Sequence, residues 1–373
     1  MGTSANKRVT RPVYVGSVKV GGDAAVVVQS MTSTDTRDAK ATIDQIGRLT
    51  DAGCEIARVA VPDAEAAAQL SVIKRAVSVP LIADIHFDHR LALAAIEQGV
   101  DGVRINPGNL GRQKIREVVK AAMGAGIVIR VGVNAGSLEK SLLAKYGGPT
   151  AEALVESALG GIALLEDLGF RAIKVSLKSS DVSTMIAAYR GLAEKSDYPL
   201  HLGVTEAGTL VNAAIKSSIA LGILLSEGIG DTIRVSVTGD PVVEIGVAYG
   251  ILRALGIRDV GPDIISCPTC GRCEIDLCAL VEEVERRLAG MKAPLKIALM
   301  GCVVNGPGEA AEADVGIAGG KGMGLLFRRG KVIGKVREGQ FVEALLEEID
   351  QMTASGTSNA LPVSSPGKGQ PSA

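Results

Sequence analysis

Aromatic side chains are scarce in this 373-residue chain, at 2% of the residues, and tryptophan is absent. Proteins that bind single-stranded nucleic acid by base stacking need aromatic platforms, so the composition argues against that class of protein. The formal net charge of −1 provides no general attraction to DNA, RNA or an anionic membrane. These shortages predict a protein that binds neither nucleic acid nor a membrane.

Long apolar runs are also missing. No segment approaches the 18 consecutive apolar residues of a membrane-spanning helix, and the N-terminus MGTSANKRVTRP lacks the apolar stretch of a secretory signal. Six cysteines in a long chain without such a signal are typical of the reducing cytoplasm, where clustered thiols bind metals more often than they form disulfides. We therefore expect a cytoplasmic, metal-binding protein.

Short β-branched runs alternate with Ala- and Leu-rich helical stretches from Val26 to about Gly256. The runs are VVVQS from Val26, EIARVAV from Glu55, PLIADI from Pro80, DGVRIN from Asp101, IVIRVGV from Ile127, RAIKVSL from Arg171, PLHLGVT from Pro199 and DTIRVSV from Asp231. Eight strand–helix units over about 230 residues predict a (β/α)8 TIM barrel, which we assign to residues 1–258. A doubly wound open sheet is the alternative.

Five of the predicted strands carry a basic residue in the same local setting. They are Arg58, Arg104, Arg130, Lys174 and Arg234. A charge inside an apolar strand is costly unless it is paired, and the C-terminal ends of barrel strands form the active-site face. The pattern predicts a site for a phosphate or diphosphate. The alternative is structural pairing with Asp84, Asp101 or Glu206. Further polar residues near the strand ends are Gln29, Asp84, His86, Asn106, Asn134, Ser176, Lys178, Thr205, Glu206 and Ser236.

A second, smaller α+β domain is predicted over residues 262–352. Its expected elements are a short strand before CPTC, a helix in EIDLCALVEEVERRLAG, a strand in LKIALM, a hairpin in FRRGKVIGKV and a final helix in QFVEALLEEIDQM. Residues 353–373 are rich in Ser, Gly and Pro and lack periodicity, which predicts a disordered tail.

The stretch SCPTCGRCEIDLC, residues 266–278, holds four of the six cysteines. A bacterial ferredoxin has the pattern C-x2-C-x2-C-x3-C-P, which is broken here after Cys273. Helical spacing from Cys273 to Leu277 and Leu280 predicts that Cys273 is the first residue of a buried helix face. Cys267 and Cys270 precede that helix in a turn, where two thiolates can converge.

A third candidate ligand is Cys302, which follows a predicted strand in the loop GCVVNGPGE. A C-x2-C pair with a distant loop cysteine indicates a metal site. From the residues alone, the fourth ligand is either Cys273 or a carboxylate such as Glu309. A structural zinc ion is the alternative to an iron–sulfur centre.

Several motifs together resemble the 4-hydroxy-3-methylbut-2-enyl diphosphate synthase family. They are CPTCGRCEIDL, LMGCVVNGPGE, HLGVTEAGTL, LLSEGIGDTIRVSVTGDP, VRINPGN and IRVGVNAGSLE, and the resemblance runs from about Arg11 to about Gly339. It implies a TIM barrel followed by a small iron–sulfur domain. It also implies a head-to-tail homodimer, in which the cluster domain of one subunit closes over the barrel of the other.

The resemblance further implies a cofactor, a substrate and site residues. A [4Fe–4S] cluster would be bound by Cys267, Cys270, Cys302 and Glu309. The substrate would be 2-C-methyl-D-erythritol 2,4-cyclodiphosphate, reduced with electrons from flavodoxin or ferredoxin. The substrate-site positions are Arg58, Asp84, Arg104, Arg130, Asn134, Lys178, Arg234, Ser236 and Asn305, with Lys174 as the alternative to Lys178. Glu206 matches the acid–base residue.

The residues suit this chemistry. A carboxylate is a harder ligand than a thiolate and is displaced from iron more easily, so Glu309 could exchange for a substrate oxygen. Loss of a hydroxyl group as water needs a proton donor, which Glu206 could be once burial raises its pKa.

Overall fold

The computed structural model describes residues 7–86, 88–302 and 312–354. The chain divides into two compact units, Met1–Asp259 and Val260–Ala373. In the part of the chain that is described, no helix is both long enough and apolar enough to span a membrane. The cytoplasmic location remains a prediction.

The first unit contains an eight-stranded parallel sheet. Its strands are β3 (Val27–Met31), β4 (Ile56–Ala60), β5 (Leu81–Asp84), β6 (Gly102–Ile105), β7 (Val128–Asn134), β8 (Ile173–Lys178), β9 (His201–Leu202) and β10 (Thr232–Ile233). Strand β10 pairs with both β3 and β9, and a parallel bridge from Val175 to Leu200 joins β8 to the segment before β9. The sheet therefore closes on itself. Every predicted run coincides with one strand to within a residue at its C-terminal end or encloses it, and the predicted barrel is confirmed.

Helices follow the barrel strands. They are α1 (Ala39–Asp51), α2 (Ala64–Ala76), α3 (His89–Glu97), α4 (Arg112–Ala125), α5 (Lys140–Tyr146), α6 (Ala151–Asp167), α7 (Val182–Ala193), α8 (Leu210–Ser226) and α9 (Val242–Ala254). Side chains that accept a backbone N–H fix several helix starts, for example Asp38 for α1, Asp63 for α2 and Asp181 for α7. These caps set the point at which each strand-end loop gives way to a helix.

A β-hairpin that was not predicted from the sequence precedes the barrel. Strands β1 (Val13–Val15) and β2 (Val18–Val20) pair antiparallel around a turn in which Gly16 has φ 55°. The inward side chains of the hairpin pack on Val27, Ile56, Ile82 and Val128, near the starts of four barrel strands. This apolar layer fills the N-terminal end of the barrel, so polar chemistry is left to the C-terminal end.

The second unit is built on a five-stranded sheet in the order β11-β12-β13-β14-β15. Its elements are β11 (Asp263–Ser266), α10 (Leu277–Arg287), β12 (Lys296–Met300), β13 (Val315–Gly320), β14 (Met323–Arg328), β15 (Lys331–Arg337) and α11 (Phe341–Ala354). Both helices pack on the sheet through a shared apolar cluster. Helix α11 runs to Ala354, so the first two residues of the predicted tail, 353 and 354, are helical. Residues 355–373 lie outside the described residues.

Strand β13 was not predicted, because its sequence VGIAGG is rich in glycine. Gly316 lies against the Ala298 carbonyl and the Phe327 ring, where a Cβ atom would overlap both. Gly319 similarly leaves room for Ile275. The glycines therefore permit close packing inside a strand, although glycine is unfavourable in strands and hides the strand pattern in the sequence.

Candidate active site

Charged side chains lie in a row on neighbouring barrel strands. Asp84, Arg104, Arg130 and Lys174 are each in register with the next, on β5, β6, β7 and β8. Residues in register in a parallel sheet point to the same side, and all four side chains are buried. We call the buried or half-buried bases of the barrel interior the cation cluster. Its members are Arg58, Arg104, Arg130, Lys174, Lys178 and Arg234.

Asp84 is the carboxylate around which part of the cation cluster is arranged. Arg104 Nη1 donates to Asp84 Oδ1 at 3.3 Å, and Arg58 Nε lies 3.8 Å from Asp84 Oδ2. His86 Nε2 lies 3.6 Å from the same Oδ2 atom. Burial raises the pKa of Asp84, but Arg58, His86 and Arg104 outweigh it, and the net pKa is far below the ordinary value. Asp84 is therefore ionised and neutralises part of the cluster.

The position of Arg104 depends on strand β7. Its Nη2 donates to the Gly132 carbonyl at 3.1 Å, and the Asn134 amide, turned with its oxygen towards the guanidinium, accepts from Nη2 at 3.1 Å. The Arg104 side chain lies over Gly132, where a Cβ atom would overlap it. Asp84, Arg104 and Asn134, which were predicted separately, are thus brought together.

Arg234 is held by a residue that the sequence analysis missed. Glu244, 2% exposed on α9, accepts from Arg234 Nε at 3.2 Å and Nη2 at 3.1 Å. Ser30 Oγ and the Val237 N–H also donate to this carboxylate, at 2.7 and 3.1 Å. The only sequence signal was an acidic residue in the first turn of an apolar helix, which is usually a solvated position.

Met31 connects two guanidinium groups of the cluster. Its Sδ atom accepts from Arg58 Nη2 at 3.0 Å and lies 3.7 Å from Arg234 Nη1. Burial lowers the pKa of Arg58 to about 10, and Arg234 and Arg104 add to that effect while Asp84 opposes it. The Arg58 guanidinium remains charged at neutral pH, so two positively charged guanidinium groups lie on either side of the Met31 thioether.

Lys174 and Lys178 lie at different depths on β8. Lys178 is the last residue of the strand and its side chain is 7% exposed. Its Nζ atom lies close to Gly203, 3.2 Å from the position that a Cβ atom on this glycine would occupy. Lys174 lies four residues earlier and is fully buried beside Arg130. Burial, with Arg58 and Arg234 as further causes, lowers the pKa of Lys178 well below its ordinary value.

Two further candidates lie after the last barrel strands. Ser236 is half-buried two residues beyond Arg234. Glu206 follows β9, is exposed, and has the positive φ of 54°, which is rare for a residue other than glycine. The strained backbone of Glu206 is typical of a functional position. The described residues of this chain do not bury its side chain, as its predicted acid–base role requires.

In the second unit, the ends of two parallel strands bring two cysteines together. Ser266 at the end of β11 is in register with Leu299 on β12, so Cys267 and Cys302 follow neighbouring strand ends. The Gly301 N–H donates to Cys267 Sγ at 3.2 Å. Cys302 is buried and Cys270 is exposed, and neither is in a disulfide. A backbone hydrogen bond from Arg272, helped by the charge of its guanidinium, lowers the pKa of Cys270.

The prediction that Cys273 begins the helix is wrong. Helix α10 begins at Leu277, because Asp276 caps it by accepting from the Ala279 N–H. Cys273 instead lies in the preceding turn, where its N–H donates to the Cys270 carbonyl at 2.9 Å. Its half-buried side chain still packs against the apolar cluster of the unit, and its Sγ atom lies against Gly301.

Asn305 and Glu309 lie outside the described residues. Within residues 7–86, 88–302 and 312–354, no group of three or more His, Cys, Asp or Glu side chains is arranged to hold a metal ion. The ligand set of Cys267, Cys270, Cys302 and Glu309 therefore stays a prediction.

Comparison with known families covers both units. The GcpE TIM-barrel domain matches residues 10–249, and the GcpE protein C-terminal domain matches residues 263–351. The chain belongs to the GcpE family. Its barrel is thus the GcpE barrel, and the unit carrying the clustered cysteines is the GcpE C-terminal domain.

Curated relatives in the GcpE family share the name "4-hydroxy-3-methylbut-2-en-1-yl diphosphate synthase (flavodoxin)". The protein of Geobacter sulfurreducens is 60% identical, over 93% of this chain and 99% of its own length. That of Lawsonia intracellularis is 58% identical, over 93% of this chain and 98% of its own length. That of Maridesulfovibrio salexigens is 60% identical, over 89% of this chain and 93% of its own length. The family that the sequence motifs resemble is therefore confirmed.

Proposed function

We propose that this chain converts 2-C-methyl-D-erythritol 2,4-cyclodiphosphate to 4-hydroxy-3-methylbut-2-enyl diphosphate in the methylerythritol phosphate pathway of isoprenoid biosynthesis. The reaction opens the ring reductively and releases water, and it consumes two electrons and two protons. The near-full-length likeness to relatives named as the flavodoxin-dependent synthase carries this proposal. The same names favour reduced flavodoxin over ferredoxin as the electron donor.

The barrel interior supports a diphosphate site. Among the described residues, the ion pairs of the cation cluster involve two carboxylates, Asp84 and Glu244, for six bases. An anion with several negative charges would balance this excess, and rigidly held guanidinium groups suit phosphate oxygens. We assign substrate binding to Arg58, Asp84, Arg104, Arg130, Asn134, Lys178, Arg234, Ser236 and Asn305. The depth of Lys174 favours Lys178 as the lysine that contacts the substrate.

The cysteines of the second unit suit an iron–sulfur cofactor. Cys267, Cys270 and Cys302 are free thiols, and a backbone N–H already donates to Cys267 Sγ, as is favourable for a cluster thiolate. We propose that these three residues and Glu309 hold a [4Fe–4S] cluster. When bound, the cluster would supply the two electrons of the reaction one at a time. A structural zinc site on a redox-silent barrel enzyme is not favoured, because the relatives carry the name of a flavodoxin-dependent synthase.

The proton chemistry is assigned to Glu206. Glu206 is exposed in the single chain, and a proton donor in an enzyme acts where bulk water is excluded, so something else must cover it. A head-to-tail homodimer, in which the partner's second unit closes over the barrel, would provide that cover. We therefore propose the homodimer together with the acid role of Glu206.

Anaerobic purification tests the cofactor. We expect a brown protein with about four irons per chain, whereas a colourless protein with one tightly bound zinc would contradict the proposal. Serine at Cys267, Cys270 or Cys302 should abolish cluster binding, because each substitution removes a thiolate ligand. Cys273→Ser should retain the cluster, and Cys278→Ser on the exposed face of α10 is the matched control.

Glu206→Gln tests the acid role. We expect the variant to keep its iron and its substrate affinity but to lose turnover, because an amide cannot deliver the proton. The exposed Glu65→Gln on α2 is the control. Wild-type rates in Glu206→Gln would remove Glu206 from the mechanism.

A further inference from the structure

Lys174 is a buried base for which the described residues provide no counter-charge. Its side chain is 0% exposed, and its Nζ atom has no hydrogen-bond partner in residues 7–86, 88–302 and 312–354. Its neighbour in register, Arg130, is 1% exposed, and none of its three side-chain nitrogens has a partner within the same ranges. An isolated charge in such a place is very costly, and a group that can lose its proton does so.

The carboxylates near Lys174 are engaged elsewhere. Asp84 is held by Arg58 and Arg104. Asp231, at the base of β10, accepts from Thr10 Oγ1 at 3.0 Å and from the Leu200 N–H at 2.9 Å. It also lies 3.6 Å from Lys7 Nζ. Neither acid makes an ion pair with Lys174 among the described residues.

The remaining groups that face Lys174 are bases. Besides Asp231, which precedes β10, the charged or titratable groups around it are Arg58 on β4, Arg130 on β7, Lys178 on β8 and His201 on β9. The Tyr189 hydroxyl of α7 donates to the His201 carbonyl. His201 is fully buried with Nδ1 2.8 Å from Thr232 Oγ1, and burial and Arg130 lower its pKa, so it is uncharged. Guanidinium groups retain their proton in proteins, so Lys174, and not its neighbour in register Arg130, is the base that can give its proton up.

We propose that Lys174 is uncharged in the free chain and takes up one proton when an oxyanion binds to the cation cluster, so that diphosphate binding is coupled to proton uptake. This inference rests on the proposed function, in which Arg130 contacts the diphosphate. Lys174 acts as a positioning residue next to Arg130 and does not contact the anion. Its new positive charge raises the affinity of the cation cluster for the anion by electrostatic attraction.

The direction of the coupling follows from linkage. Burial, with Arg130 and Arg58 as further causes, lowers the pKa of Lys174 well below its ordinary value. A bound anion raises it again, so a proton is taken up at any pH between the free and the bound values. Anion affinity therefore falls as the pH rises through that window. At full coupling to one proton, the dissociation constant rises about tenfold per pH unit.

The experiment measures proton uptake on the anaerobically purified full-length chain. Sulfate is the probe, because its charge does not change between pH 7 and 9. Calorimetric titration at pH 8, in two buffers with very different enthalpies of ionisation, gives the number of protons bound per sulfate. We expect a clear uptake in the wild type. At pH 8 an imidazole stays neutral, so His201 does not contribute.

Lys174→Met and Lys174→Gln should each reduce the uptake by as much as one proton and flatten the pH dependence of sulfate affinity. Lys114→Met, an exposed position on α4, should behave as the wild type. Lys178 can account for any uptake that remains. Lys178→Met, which leaves Lys174 in place, should retain the uptake that Lys174 causes, so it separates the two lysines even if both Lys174 variants fold poorly; loss of all uptake in folded Lys178→Met would contradict the inference. Sulfate binding without proton uptake, equal uptake in folded Lys174 variants, or no sulfate binding would each overturn the inference. Turnover is not measured, so a chain that turns over its substrate without proton uptake keeps the proposed function.

Discussion

At the scale of single residues, the site depends on how buried charges are paired. Glu244 neutralises Arg234 through two hydrogen bonds and is itself held by Ser30 and the Val237 N–H. Breaking a buried pair by neutralising one partner leaves the other charge uncompensated, which costs about 3 kcal/mol or more. This carboxylate is therefore part of the support of the site, although it was not found in the sequence.

We predict that Glu244→Gln lowers the free energy of unfolding of the barrel by about 3 kcal/mol. An added diphosphate should stabilise the variant more than the wild type, because the anion can replace the missing negative charge. Urea unfolding followed by circular dichroism, with and without pyrophosphate, measures both effects. Glu65→Gln, exposed on α2, should stay within about 0.5 kcal/mol of the wild type. Equal stability in both variants would contradict the proposed support.

A second residue-scale prediction concerns the space over Gly132. Gly132→Ala places a methyl group where the Arg104 side chain lies, so the guanidinium must leave the Gly132 carbonyl and Asp84. We expect pyrophosphate to bind at least about tenfold more weakly, equivalent to about 1.4 kcal/mol, while the fold is kept. Gly136→Ala is the control, since a Cβ atom there meets open space. Equal pyrophosphate affinity in the two variants would show that Arg104 does not contribute.

At the scale of secondary-structure elements, the strands that are buried on both faces were the ones that could be predicted from the sequence. The eight barrel strands are covered on both faces, so each is an apolar run that the sequence reveals. The hairpin β1–β2 has strands of three residues, too short for a clear alternation, and its buried side chains pack on the barrel end beneath it. Strand β13 was hidden by glycines that long-range packing requires.

The candidate site was predictable to a similar extent. The bases were found because a charge is conspicuous in an apolar strand, and the register of the strands then brings them together. Glu244 was missed because an acidic residue on a helix gives no sign that it points inwards. Cys273 was assigned to the helix because spacing alone does not show that Asp276 starts the helix later.

The hairpin provides an element-scale test with its control in the same strand. Val15 is fully buried on the barrel end, whereas the neighbouring Tyr14 is 59% exposed. Val15→Ala should lower the free energy of unfolding by about 2 kcal/mol, through lost burial and the cavity left behind. Tyr14→Ala should change it by less than about 0.5 kcal/mol. Urea unfolding of both variants is the measurement, and similar losses would mean that the hairpin does not seal the barrel.

At the scale of the whole molecule, the two compact units divide the proposed chemistry between them. The cation cluster belongs to the barrel, and the clustered cysteines belong to the five-stranded unit. Each unit has its own apolar core, so damage to the core of the second unit should leave a plain diphosphate bound to the cation cluster, although the whole substrate would lose the contact assigned to Asn305. The division can be tested by a substitution in the core of the second unit, far in sequence from every barrel residue named above.

Gly316→Ala is that substitution. The added methyl group would overlap the Ala298 carbonyl and the Phe327 ring, and neither a strand backbone nor a buried ring can give way easily. Overpacking of this kind costs about 1–3 kcal/mol or more, and β13 lies next to β12, whose end leads to Cys302. We therefore expect the variant to lose most of its iron but to bind pyrophosphate with wild-type affinity. Gly334→Ala on β15, where a Cβ atom meets open space, should keep both ligands. Loss of pyrophosphate binding in Gly316→Ala would show instead that the anion site requires an intact second unit.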